Sequence, residues 1–189
     1  MSILNSNLKA QGKLDDIQFR LCTIGSRKVY EDDNYGVGPW SIFAPNLTIY
    51  GFDVDEEACE NANNSLAKSS INWQEKHFPI AIASRTGETS LYVTKEVHCS
   101  SLYPPNQAYA KRFKGFDRGL EVDAIIEIET TTLEEFCRNQ AISELEFLKV
   151  DVQGADLDVL QGGEQVLQRS TLGVSIEVEF APIAILSHL

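Results

Sequence analysis

Five short apolar runs rich in β-branched residues punctuate the chain: IQFRLCTI (17–24), LTIYGFDV (47–54), FPIAIAS (78–84), EFLKVDV (146–152) and LGVSIEVEF (172–180). Each is bounded by turn-forming residues and reads as a strand. Runs this continuous predict strands covered on both faces, hence a largely parallel sheet. Helical spacing recurs between them. Ala58, Ala62 and Leu66 share one face after the second run, and Asp55, Glu56 and Glu57 crowd its first turn, where the helix dipole favours negative charge. Thr132 and Glu135 form a capping-box pattern around the apolar stripe Leu133, Phe136, Cys137. A third helix follows the fourth run, and Gln161-Gly162-Gly163 ends or breaks it. Strands alternating with helices predict an α/β fold, a doubly wound and mostly parallel sheet, in a single domain over residues 1–189 with an N-terminal extension at 1–16.

The middle of the chain breaks this rhythm. Two alternating runs, TSLYVT (89–94) and AIIEIET (124–130), flank a stretch holding Pro104-Pro105, Gly115 and Gly119. An antiparallel flap is expected there, with residues 95–123 as a mobile loop or lid, because long loops in compact domains are usually functional or mobile.

Charge and cysteines then exclude several function classes. With 16 Lys+Arg against 28 Asp+Glu the net charge is -12, and no dense basic patch exists to displace the counterions of a nucleic acid, so no nucleic-acid partner is expected. No run is apolar for the roughly 18 residues of a membrane span, so no membrane partner is expected either. The opening MSILNSNLKAQGKLDDIQF lacks the apolar core of a secretory signal. A cytoplasmic protein is expected, its sequons at Asn46 and Asn63 unglycosylated. Cys22, Cys59, Cys99 and Cys137 are scattered, which suits reduced thiols better than a disulfide frame, and no metal site is expected.

The candidate chemistry lies in acids at strand ends. In open α/β sheets ligands bind beyond the carboxyl ends of the strands, where Asp53, Asp151 and either Glu177 or Glu179 fall. A carboxylate after the second strand has two acceptor oxygens for the two hydroxyls of a ribose. Helix capping is the plainer role, expected of one of Asp53 and Asp55. Gln153-Gly154 followed by Asp156 reads either as a tight turn into a helix or as part of a site.

Lys149, Asp151, Gln153, Gly154, Asp156, Val159, Leu160 and Gly162 stand as in the motif Lys-x-Asp-x-Glu/Gln-Gly, acid, Val-Leu-x-Gly. In this the chain resembles the FkbM family of S-adenosylmethionine-dependent methyltransferases. IYGFDVDEEA is similar to the family's second-strand signature, with Asp53 in the place of its Glu, and AIASRTGETSLYVT and CSSLYPP are similar to the family's middle. The likeness runs over about residues 17–182. It implies a class I methyltransferase-like (Rossmann-like) fold and S-adenosyl-L-methionine as cofactor. Asp53 would hold the ribose, Gly25 and Ser26 would line the methionine end, Ile82 and Ala83 would pack near the adenine, and Asp151 would sit beside the transferring methyl. O-methylation of a sugar or other small-molecule hydroxyl is the activity implied. The chain departs from the family at Thr23, where an acid is common, and in stopping soon after the fifth run. The closing antiparallel hairpin is therefore expected to be missing, leaving a sheet edge through which a homodimer would form.

Methyl transfer is an in-line displacement that depends on positioning and needs no covalent enzyme intermediate. A hydroxyl acceptor also needs a proton acceptor, and His98 is the candidate base, its plain alternative being a solvated loop histidine. His77 and His188 are weaker candidates. Ser100 and Ser101 read as acceptor contacts or local turn caps, and Trp40 and Trp73 as packing. A nicotinamide-dependent oxidoreductase would need a G-x-G-x-x-G that is absent, and a calcium module would need EF-hand spacing. A degenerate or truncated methyltransferase-like domain, acting as a non-catalytic binding module, is the alternative reading.

Overall fold

The computed structural model describes residues 3–28, 36–178 and 181–185. In chain order these form α1 (Ile3–Ala10), β1 (Phe19–Ile24), β2 (Leu47–Asp53), α2 (Glu56–Lys68), β3 (Gln74–Pro79), β4 (Ala81–Ile82), β5 (Gly87–Thr94), α3 (Gln107–Ala110), α4 (Phe116–Gly119), β6 (Val122–Thr131), α5 (Leu133–Asn139), β7 (Phe147–Val150), α6 (Asp156–Gly162), α7 (Glu164–Ser170) and β8 (Gly173–Ile176). The main sheet has the order β3-β2-β1-β7-β8, and every pairing in it is parallel. A second sheet, β4-β6-β5, holds the expected antiparallel pair β5/β6.

Alternation along the central strands explains why they are apolar throughout. Cys22 and Ile24 of β1 face one side with Phe52, Leu148 and Val150, and meet Leu133, Phe136 and Cys137 of α5, Val159 of α6 and Val166 of α7. Phe19, Leu21, Leu47 and Ile49 face the other side, against Trp40, Phe43 and Trp73. With period two in the strand and both faces covered, both faces are predominantly apolar. Phe136 stands edge-on to Phe52 and Phe78, at 4.6 and 5.0 Å between ring centres.

The helix signals act locally as expected. Asp55 caps α2 by accepting from the Ala58 N–H at 2.9 Å. Thr132 caps α5 through the Glu135 N–H at 3.0 Å, while the Glu135 carboxylate meets the Thr86 hydroxyl and Arg138. Gly163 separates α6 from α7, and Gly162 packs where a Cβ would lie 2.1 Å from the Ala83 carbonyl oxygen.

One expectation needs correction. The run at 78–84 is not one strand: β3 begins at Gln74 and ends at Pro79, and Ala81–Ile82 crosses to pair with Thr130–Thr131 in the second sheet. The Ile80 N–H turns back to the Phe78 carbonyl, just past a proline that has no N–H to donate. Residues 95–123, where a mobile loop or lid was expected, carry regular structure. They fold into a 3-10 turn at Val97–Cys99 and the short helices α3 and α4, with Asn106 capping α3 through the Tyr109 N–H. Residues after β8 return to this segment, where the Asn106 N–H bonds the Ile183 carbonyl and the Ile185 N–H bonds the Pro104 carbonyl. Glu179 and His188 lie outside the described residues.

Candidate functional site

Register assembles the site. Phe52, Ile24, Val150 and Ile176 lie side by side across β2, β1, β7 and β8. One step further along each chain come Asp53, Gly25, Asp151 and Glu177. Backbone bonds carry this next row: the Gly25 N–H to Phe52 O at 2.9 Å, the Asp151 N–H to Ile24 O at 2.9 Å, and the Glu177 N–H to Val150 O at 3.1 Å. Adjacent strands lie about 4.8 Å apart, so Asp53 and Asp151 flank Gly25 at roughly 10 Å from each other and Glu177 stands one strand beyond.

The gap at Gly25 is structural. Its φ is +78°, and an added Cβ would lie 1.8 Å from the Asp151 carbonyl oxygen. Only glycine lets β1 and β7 approach this closely as the chain turns away, and the row is left without a side chain at its centre. Above the row lies a cavity of about 540 Å³. Phe52, Asp53 and Ile80–Ile82 wall it near β2, Lys149, Gln153 and Glu177 near β8, and Leu91, Val97, Leu102 and Ile126 supply apolar contacts from the second sheet and its connection.

The two acids after β2 divide their work. Asp55 caps α2 and pairs with Arg27 at 2.8 Å. Asp53 faces the cavity, its carboxylate fixed by the Arg27 and Asp55 N–H groups, each at 3.0 Å. Burial raises the Asp53 carboxyl above its ordinary value, against the effect of those bonds. Asp151 behaves oppositely. Burial opposes its charge, but hydrogen bonding with Glu177, the Lys149 charge at 3.3 Å and the Gln153 amide at 3.2 Å together lower it. Gln153 and Gly154, at φ of 54° and 95°, turn the chain so that Asp156 accepts from the Val152 and Gly154 N–H groups.

Not every expected residue reaches the cavity. Gly25, Asp53, Ile82, His98 and Asp151 line it. The Ser26 side chain does not: it is buried with its Oγ 2.9 Å from His77 Nδ1, on a ring whose Nε2 is 3.1 Å from Glu75. Gly51 makes room, since a Cβ there would meet His77 Nδ1 at 2.3 Å. Ala83 also lies outside the lining, held by its N–H to Thr131 and packed beneath Gly162, and Ile80 and Ala81 take its place. Thr23 is buried, with no hydrogen-bond partner for its hydroxyl among the described residues. His98 is half-exposed, 4.0 Å from Glu96. Ser100 and Ser101 do line the cavity; Ser100 also receives the Thr94 N–H, while Ser101 receives the Tyr103 N–H and donates to the Gln153 carbonyl at 2.7 Å, tying this segment to the turn after β7. The neighbouring Tyr103 hydroxyl donates to Asp158 at 2.6 Å and is pushed up to about 12 by burial and by that carboxylate. Asp158 also receives Ser84, so this connection is tied to α6.

Sequence reasoning left several lining residues without a role. Arg27, Lys149, Leu91 and Ile126 line the same cavity. Alternation in TSLYVT and AIIEIET was the signal for the apolar pair, because one face of a half-buried sheet must cover something.

A parallel sheet ordered 3-2-1-4-5 by main-sheet strand, with an acid closing its second strand, a glycine at the end of its first and an acid at the end of its fourth, defines a Rossmann-like domain of the methyltransferase type. The Methyltransferase FkbM domain matches residues 27–185, and the chain belongs to that family. It is similar to the 2-O-methyltransferase NoeI of Sinorhizobium fredii (strain NBRC 101917 / NGR234), with 22% identity over 134 residues. That match covers 67% of this chain and 51% of NoeI, so the chain spans about half the length of this curated relative. No solved structure matches the chain significantly. Among the described residues, no helix is long and apolar enough to cross a membrane.

Proposed function

We propose that the chain binds S-adenosylmethionine across Gly25 and directs methyl transfer to a hydroxyl of a sugar or another small molecule. The row Asp53, Gly25, Asp151, Glu177 carries this reading, because it offers a ribose acceptor, a bare stretch of backbone and two further acids in that order. The residues present fit the cofactor. Asp53 has lone pairs left for ribose hydroxyls after its two backbone bonds. Phe52 and Ile80–Ile82 give an apolar wall for a purine, and the cradle at Gly25 is one that any Cβ would fill. When bound, S-adenosylmethionine supplies a methyl group on a positively charged sulfur, which departs as a neutral thioether.

The chain's own residues position and neutralise. Asp151, its carboxyl lowered by hydrogen bonding with Glu177, by the Lys149 charge and by the Gln153 amide, would place a negative charge beside a sulfonium. Transfer then depends on holding the acceptor in line, the work of the apolar contacts over the cavity and of His98 and Lys149 at its polar side. Membership of the FkbM family supports methyl transfer, and the likeness to a 2-O-methyltransferase supports oxygen as the receiving atom.

Calorimetric titration with S-adenosylmethionine and S-adenosylhomocysteine tests this. Micromolar binding is expected, weakened about 30- to 150-fold by Asp53→Ala, since two ribose hydrogen bonds contribute roughly 1–1.5 kcal/mol each. A folded chain that binds neither would sink the reading and favour a non-catalytic binding module.

A further inference from the structure

We infer that Glu75 and His77 of β3 are positioning residues for the cofactor, a buried clamp that fixes the turn at 25–28 against the sheet. This rests on the proposed methyltransferase reading and names what holds the cofactor side of the cavity in shape. Thr23, Gly51 and His77 lie side by side across β1, β2 and β3. The missing side chain at Gly51 lets the imidazole lie over β2, since a Cβ there would meet His77 Nδ1 at 2.3 Å and Ser26 Oγ at 2.9 Å. Through that gap His77 Nδ1 comes within 2.9 Å of Ser26 Oγ, and both side chains are buried.

The surrounding bonds fix the ring. Burial works to raise the Glu75 carboxyl, but hydrogen bonds from His77, Lys28 and Trp73 outweigh it and lower it to about 2. A carboxylate only accepts, so in the neutral imidazole the hydrogen lies on Nε2, 3.1 Å from Glu75, and Nδ1 is left to accept from the Ser26 hydroxyl. Asn63 of α2 holds the same residue by its backbone, accepting the His77 N–H at 2.9 Å and donating to the His77 carbonyl at 2.8 Å. Glu75 also receives Lys28 Nζ at 2.8 Å. One carboxylate thus ties the turn at two points, at Lys28 directly and at Ser26 through the ring.

The turn carries two parts of the proposed cofactor site. Its Gly25 and Ser26 N–H groups both reach Phe52 O, at 2.9 and 2.8 Å, and its Arg27 N–H donates to Asp53 Oδ2 at 3.0 Å. Ser26 lies between the bare backbone that the cofactor would cross and the N–H that aims the ribose acceptor. Binding groups must be held within about 0.5 Å of their productive geometry, and a buried, fully bonded histidine behind the turn is a support of that kind.

Replacements of the histidine separate the clamp from general packing. Asparagine places a polar atom where Nδ1 stood and glutamine places one where Nε2 stood, so His77→Asn keeps a partner for Ser26 and His77→Gln keeps one only for Glu75. Calorimetry of S-adenosylhomocysteine on the folded chain is expected to show affinity about 5- to 10-fold weaker in His77→Gln and in the milder Ser26→Ala, with His77→Asn recovering most of the loss. Equal affinity in His77→Asn and His77→Gln, or a change under about twofold in Ser26→Ala, overturns the proposal. Amide hydrogen exchange of the cofactor-free chain reads the clamp without a ligand: Gly25, Ser26 and Arg27 are expected to exchange about 10-fold faster in Ser26→Ala, and unchanged exchange overturns it. A wild type that does not bind S-adenosylhomocysteine refutes the cofactor reading and this role with it, whereas a wild type that binds alongside unaffected variants overturns the clamp alone.

Discussion

Replacing Gly25 with alanine tests the geometry of the whole strand-end row. Two costs are expected. The first is conformational: φ at position 25 is +78°, and a left-handed conformation costs a residue with a Cβ about 1–2 kcal/mol. The second is steric, because the new Cβ would lie 1.8 Å from the Asp151 carbonyl oxygen and the obstacle is backbone, not a side chain that can swing away. Relief requires β1 and β7 to separate at their ends, an overpacking cost of about 1–3 kcal/mol. Gly115 provides the control: its φ is +90° and nothing lies within 4 Å of an added Cβ, so Gly115→Ala carries the first cost alone. Urea unfolding of both variants should show Gly25→Ala losing about 2–5 kcal/mol and Gly115→Ala about 1–2. Equal losses in the two would refute the close approach of β1 and β7 at this point.

Acid unfolding should report Glu75. Burial works to raise its carboxyl, but hydrogen bonds from His77, Lys28 and Trp73 outweigh that and lower it from 4.5 to about 2. A depressed folded pKa adds stability that is fully present above the unfolded value and is lost as pH falls from about 4.5 toward 2, on the order of 3 kcal/mol in all. Glu75→Gln should flatten the stability curve across that window, and an unchanged slope there would contradict the network. Thiol labelling at pH 8 should modify one cysteine quickly in the folded chain and four after denaturation: Cys22, Cys59 and Cys137 are buried, with burial first pushing Cys59 and Cys137 up to about 11, while Cys99 is half-exposed. Phe136→Ala should cost about 3–5 kcal/mol in unfolding free energy, since the ring fills the space between Phe52 and Phe78.

Strands buried on both faces were legible in the sequence. LCTI, LTIYGF and FLKV announce β1, β2 and β7 because both faces of these strands are covered, so apolar residues dominate them and Thr23 is a buried exception. β3 was misplaced because it is the edge of the sheet: Gln74 and Lys76 point to water while His77 turns inward, so its pattern carries little apolar signal. In the site, two acids two residues apart told that one would cap a helix, but only the path of the backbone assigns the cap to Asp55 and leaves it out of reach of Asp53, beside the cavity that both line. Ser26 follows Gly25 and was expected to share its surroundings. The chain turns between them, and the hydroxyl goes to a histidine 51 positions away, a pairing no local pattern encodes. Glu177 and Asp151 are likewise neighbours through register, which depends on how β7 and β8 align and not on either segment alone.

The row at the strand ends also bears on how such a domain diversifies. Asp151 and Glu177 are anchored one residue past Val150 and Ile176, which pack with the core, so their side chains are attached to the fold without filling it. Single substitutions there can exchange acid for amide or hydroxyl and leave the layer beneath undisturbed. Position 25 has no such latitude, because its neighbour is backbone. The β8 side of the row can therefore change its chemistry without rebuilding the core, while the crossing point over β1 admits no side chain.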